Sequence, residues 1–212
     1  YNRWLKLALP WTLFSGMVLG VGIMLGGFWA YGVLGWGGYW GWDPVENSSF
    51  VPWIVIVAAI HSMIAEEKTG KFKKTSLLLC VIAFVLVLYS TFLTRSGILG
   101  DASVHSFVDP GQEVYLFLVV FLSLFGGGGI ALILFRLKSL RSDSSQTANM
   151  LSRESAVFIG AITLCATALV IAVGTSWPIL AKGTIDPAFY NKMNLPLAIM
   201  IAAINGISIL LA

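Results

Sequence analysis

Apolar residues gather in six long runs, and polar residues are confined to short breaks between them. The runs fall at about 7–30, 45–65, 76–94, 114–135, 156–180 and 195–212. A bilayer span needs roughly 20 mostly apolar residues. The pattern therefore predicts an all-α fold, a polytopic transmembrane helix bundle of about six spans. The breaks carry helix punctuation. Asp43, Pro44 and Glu46 place a cap, an N1 proline and a capping-box acid at the start of the second span. Asp109-Pro110-Gly111-Gln112 predicts the same cap for the fourth. Gly16 with Gly20, and Gly22 with Gly26, give the first span two small-xxx-small spacings, which suit close packing of a neighbouring helix. The glycines at 126–129 cost about 1 kcal/mol each against alanine in a helix. The sequence alone gives them no decisive purpose.

Composition sharpens this picture. The chain is 58% hydrophobic and 11% charged, against about 25% charged in soluble domains. Its mean hydropathy is +0.87. It is an integral membrane protein whose immediate partner is membrane lipid. The net charge of +3 matters for topology. Arg3, Lys6, Lys68, Lys71, Lys73, Lys74, Arg136, Lys138, Arg141 and Arg153 fall on one side of alternating spans. Arg95, Lys182 and Lys192 fall on the other. The positive-inside rule assigns the first group to the cytoplasm. The loop at 31–50, the loop at 95–113 and the loop around Asp186 are then outward. No basic patch with interleaved aromatics points to nucleic acid. Cys80 and Cys165 lie far apart in apolar runs with no CxxC spacing, so they read as small hydrophobes. The chain opens at Tyr1 without methionine and stops inside an apolar run, and is expected to be a fragment of a longer chain. Residues 1–212 read as one membrane-embedded region without a soluble domain boundary.

The chemistry concentrates in residues 36–47, where Trp36, Tyr39, Trp40 and Trp42 are spaced by glycines and followed by Asp43-Pro44. Indole and phenol rings collect at membrane interfaces, so one reading is an anchor belt. The glycine spacing favours the other, a platform of aromatic faces for a large flat apolar molecule. His61 lies 17 residues after Pro44, roughly 26 Å along a helix, and is therefore inside the membrane. An ionisable group there is costly and usually faces a functional interior. It reads as a metal or haem ligand, as hydrogen-bonded helix glue, or as a proton relay. Arg95 is a headgroup anchor or a guanidinium clamp for a carboxylate. His105 is the remaining histidine, held in an outer loop close to a helix start. No catalytic triad, phosphate-binding glycine loop or zinc spacing is present. Two histidines, an outer arginine and aromatic faces suit a porphyrin.

These motifs resemble the tryptophan-rich WWD proteins of cytochrome c biogenesis, and more narrowly the CcmF family of haem lyases. The resemblance rests on Trp36 through Asn47, on Pro52-Trp53 and Ile60-His61-Ser62, on 91–97 with 103–107, and on Tyr190-Asn191-Lys192 with Leu195-Pro196-Leu197. Tyr39 and Gly41 stand where bulkier aromatics are usual. The resemblance implies a resident haem b on the His61 side, with haem also as the transferred substrate. It implies that His105 holds the delivered haem iron and that Trp36, Trp40, Trp42 and Asp43 form the haem platform, with His105 and Asp43 the expected catalytic residues. Arg95 or a helix N-terminus would take the propionates. Implied partners are a CcmE-type haem chaperone, CcmH/CcmI-type presenting proteins and apocytochrome c. The implied place is the bacterial inner membrane, with the WWD loop in the periplasm. The partner histidines of such sites have no candidate here. Alternatives are a CcmC-like exporter that loads the chaperone, a relative dedicated to one cytochrome such as a nitrite-reductase assembly protein, and a transporter or scaffold without haem.

Overall fold

Helix α2 (Pro44–Thr69) is the axis of the bundle, because its small and hydroxylic residues let three neighbours approach it. The computed structural model describes residues 2–35, 38–136, 152–181 and 183–211. Trp36, Lys138, Arg141 and Lys182 lie outside them. The other helices are α1 (Asn2–Val33), α3 (Lys73–Arg95), α4 (Gln112–Arg136), α5 (Arg153–Thr175), the single turn α6 (Trp177–Leu180) and α7 (Pro187–Leu210). No strand occurs among the described residues. Six of the helices are long and apolar enough to cross a membrane. Even 23 helical residues reach about 35 Å, more than the hydrocarbon thickness. The helix bundle read from the sequence is the fold observed.

Helices α1, α3 and α5 pack on α2, α4 packs on α3, and α7 packs on α5. Ala58 and Ala59 are fully buried. Serine pairs bridge α2 to α3, with Ser48 and Ser90 Oγ atoms 2.9 Å apart and Ser62 and Ser76 3.0 Å apart. Such short hydroxyl contacts are a usual glue where the surroundings are as apolar as the side chains. Gly16 and Gly20 admit α2 as predicted. Trp53 Nε1 donates to Gly16 O at 3.0 Å, and a Cβ on Gly20 would stand 2.6 Å from that indole. Among the four glycines of α4, Gly129 lets Val81 of α3 approach to 2.7 Å of its Cβ position, while Gly127 and Gly128 face open space. Large apolar side chains on α1, α4 and α7 are exposed, a surface suited to lipid. Cys80 and Cys165 are unbridged and partly buried.

Three boundaries differ from the sequence reading. The fifth span ends at Thr175, and Pro178 belongs to the separate turn α6. The last span begins at Pro187 rather than near 195, because Asp186 caps it (Ala188 N to Asp186 Oδ1, 2.7 Å) and Pro196 is accommodated inside. Asp109 does not cap α4. Its Oδ1 accepts from Gly111 N at 2.9 Å in a local turn.

Tyr190, 2% exposed, seats its ring on Gly174, where a Cβ would stand 2.7 Å from the ring. Gly174→Val is therefore expected to cost about 1–3 kcal/mol through overpacking. It should appear as a lower unfolding temperature in detergent, and an unchanged temperature would contradict this packing.

Candidate functional site

The loop residues 38–43, the loop at 96–111 and the start of α7 meet at one end of the bundle. They are tied together at Trp42 and Asp43. Gly97 (φ 78) turns the second loop so tightly that a Cβ there would meet Val108 O at 2.8 Å. Phe107 N then bonds back to Thr94 O at 3.0 Å. This return brings Ser103 and His105 onto Asp43. Asp43 Oδ1 accepts from Ser103 Oγ at 2.7 Å and from Val45 N at 2.9 Å, and lies 3.2 Å from His105 Nδ1. The predicted cap is thus real. Glu46 answers it as a capping-box acid, its N–H donating to Asp43 Oδ1 at 3.4 Å and its carboxylate facing the Asp43 backbone N–H, and its Oε2 also accepts from Gly41 N at 3.2 Å and so braces the tryptophan loop. A carboxylate beside Nδ1 favours the proton on that nitrogen, which leaves Nε2 with the lone pair a metal needs.

His105 borders a cavity of about 300 Å³ between α1, α2 and α3. Trp29 and Trp40 line it, and the Trp29 ring centroid is 6.2 Å from that of His105. Gly22 and Gly26 share its α1 wall with Leu19, Ile23 and Gly27, with nothing within 4 Å of a Cβ at either Gly22 or Gly26. This corrects the reading of the second small-xxx-small pair, which opens a space instead of packing a helix. Trp40 Nε1 is buried and has no hydrogen-bond partner among the described residues.

Trp40 and Trp42, the described tryptophans of the motif, do not make one flat platform. Trp40 and Trp42 stand edge to face at 90°. Trp42 adopts φ 57, a left-handed conformation unusual for a bulky residue. Three contacts hold it there. Asn47 Nδ2 donates to Trp42 O at 3.0 Å, Trp42 Nε1 donates to Asn191 Oδ1 at 2.8 Å, and the indole stacks on Tyr190 at 5.0 Å. Trp42 borders a different, more polar cavity of about 470 Å³ that also includes Asp101 and Ser103. Arg95 is exposed and borders neither cavity, whereas Thr94 before it lines the first. Trp29 was missed in the sequence. Its signal was position, a tryptophan near the outer end of the first apolar run and so level with the loops.

His61 is far from this end and occupies a second setting. Its Nδ1 donates to Val57 O at 2.7 Å, which fixes the Nδ1–H tautomer and leaves Nε2 as the lone-pair nitrogen. It lines a cavity of about 340 Å³ between α2, α5 and α7. Each histidine borders a cavity, and His61 keeps Nε2 as its lone-pair nitrogen. No group of three or more His, Cys, Asp or Glu suited to a metal ion occurs among the described residues.

Residues 1–99 match the family described as "Cytochrome C assembly protein". The "Cytochrome c-type biogenesis protein CcmF" of Pseudomonas aeruginosa is 41% identical over 98% of this chain and 32% of its own length. That of Escherichia coli is 39% identical over 97% of this chain and 32% of its own. A solved structure titled "Cytochrome c Heme Lyase CcmF" superimposes with a TM-score of 0.73 at 34% identity, over all of this chain and 31% of that one. The chain belongs to the CcmF family. It spans about a third of the length of the curated CcmF relatives it matches. The "Cytochrome c-type biogenesis protein NrfE" of Haemophilus influenzae is also similar, at 34% identity over 94% of this chain. In each of these three relatives the match covers 94% or more of this chain.

Proposed function

We propose that this chain forms the haem-handling membrane core of a cytochrome c haem lyase. Full-length protein would take haem from a CcmE-type chaperone and join it to the CxxCH cysteines of an apocytochrome c presented by CcmH/CcmI-type proteins. The observation that carries this reading is the Asp43–His105 pair at the wall of the Trp29–Trp40 cavity. His105 holds the delivered iron through Nε2. Trp29 and Trp40 offer apolar faces to the ring, and the bare α1 wall at Gly22 and Gly26 leaves room for its edge. In the reaction each thiol S–H adds across a haem vinyl double bond, sulfur bonding the inner carbon and hydrogen the terminal one. The protein's contribution is to hold the vinyl edge and the thiol together.

Membership of the CcmF family supports a place in the bacterial inner membrane, and the basic residues favour the WWD loop on its outer, periplasmic side. His61, with its proton on Nδ1 held by Val57 O, would hold a resident haem b at its cavity through Nε2. Such a haem, itself reduced by an external electron donor, would supply the electron that keeps the delivered iron reduced.

The test is maturation itself. Full-length protein, expressed with its partners in a strain lacking its own lyase, should yield a reporter cytochrome whose haem survives denaturing electrophoresis. Haem that reaches the chaperone without ever becoming covalent on the reporter would instead support the exporter reading. Asp43→Ala should lower haem affinity at the outer site about 10- to 100-fold, the usual cost of removing the group that orients a ligand. Asp43→Asn keeps a good cap and an acceptor oxygen but loses the charge, so it should fall between the two. Haem titration into protein with the inner site already filled separates these cases. Equal affinity in all three proteins would remove Asp43 from the site.

A further inference from the structure

We propose that Lys68 and Arg153 form a carboxylate clamp at the mouth of the His61 cavity and grip the propionates of the haem held there. This rests on the reading of His61 as a haem ligand given above. The cavity is graded along its length. Val57, His61, Ile64, Ala65 and Lys68 share one face of α2 at helical spacing and all line it. Lys68 lies seven residues after His61, two turns or roughly 10.5 Å along the axis. Across the cavity, α5 contributes the small residues Ala156 and Gly160 level with the apolar middle, and Arg153 in its first turn. On α7, Ile201 and Ile204 precede Asn205 and Ser208 in the same direction. The polar residues of all three helices thus gather at one end. Two of them are cations and one, Glu154, is an acid.

Haem has the matching asymmetry. It is a flat apolar ring with two carboxylates on a single edge, and its iron lies at the centre. With iron on His61 and the ring plane along α2, that edge points either toward the cations or toward the apolar interior. Burying the carboxylates there without partners would be prohibitive. The clamp therefore fixes orientation as well as affinity, and guanidinium and ammonium are the groups that bind carboxylates most strongly. An anionic lipid headgroup is the other molecule that two such cations at a membrane surface would attract.

The experiment uses full-length protein stripped of haem and titrated with haem or with haem dimethyl ester, whose propionates carry no charge. Wild-type protein should prefer haem by about tenfold or more, the worth of a charge-assisted hydrogen bond. Lys68→Gln/Arg153→Gln should erase that preference while keeping the absorption spectrum of the ligated iron. It should also lower the haem midpoint potential, because the positive charges favour the reduced iron. A preference and potential unchanged in the double variant would overturn the clamp. The same result accompanied by loss of co-purified anionic phospholipid would assign the two cations to lipid instead. His61→Ala tests the underlying reading separately, because haem bound to that variant with an unaltered spectrum removes the inner haem site itself.

Discussion

His105→Ala in the full-length protein is expected to abolish maturation, with covalent haem on a reporter cytochrome falling at least about tenfold while the inner haem stays in place. The reason is positional. His105 is the histidine at the loop end of the bundle among the described residues, and it borders the cavity with the aromatic walls. Alanine removes the iron ligand but leaves Asp43 satisfied by Ser103 Oγ and Val45 N, so the helix start and both loops should persist. Ligand and orienting-group losses at such sites cost 10- to 100-fold. The measurement is haem staining after denaturing electrophoresis, paired with a reduced-minus-oxidised spectrum of the purified variant. Normal staining would show that the outer iron is held elsewhere. Loss of both signals would point to misfolding, which circular dichroism would show.

The second large effect concerns His61→Ala, which should strip the inner haem to near zero and leave the fold intact. His61 bonds to Val57 O within its own helix, and among the described residues it makes no hydrogen bond to another helix that its removal would break. The variant therefore loses a ligand and little packing. Full-length wild-type protein in detergent should show a reduced b-type spectrum near one haem per chain, and the variant should lack it. Retention of haem with the same band positions would refute the ligand role. If haem disappears but maturation continues under strong external reductant, the inner haem is confirmed as an electron supplier and not as a structural element.

The long apolar runs made the bundle legible, because a bilayer leaves the chain almost no alternative. Helix starts at Asp43 and Asp186 follow local cap chemistry, and where sequence order alone suggested a cap at Asp109, a local turn took its side chain instead. The candidate site was legible only in part. His61, His105 and the tryptophan stretch announce themselves by residue type in an unlikely place. Which tryptophan lines which cavity does not, because it depends on Trp42 being turned left-handed by Asn47 and Tyr190, residues five and 148 positions away. Nor does the sequence distinguish Gly20, which packs Trp53, from Gly22, which meets nothing among the described residues. Two glycines two residues apart point to different sides of a helix, and only the neighbours decide what each side meets. Arg95 was conspicuous by charge, yet it is Thr94 that reaches the cavity wall.

One oxygen of Asp43 serves the first turn of α2, Ser103 and His105 together. In genetic terms these positions are not independent. Once His105 is gone, removing Asp43 takes away a cap and a serine partner but no ligand, so the two substitutions together should depress haem binding no further than His105→Ala alone. A chimera carrying the tryptophan loop of one family member and the histidine loop of another inherits the two halves of this arrangement from different parents. Such loops are expected to work when exchanged as a pair and to fail when exchanged singly.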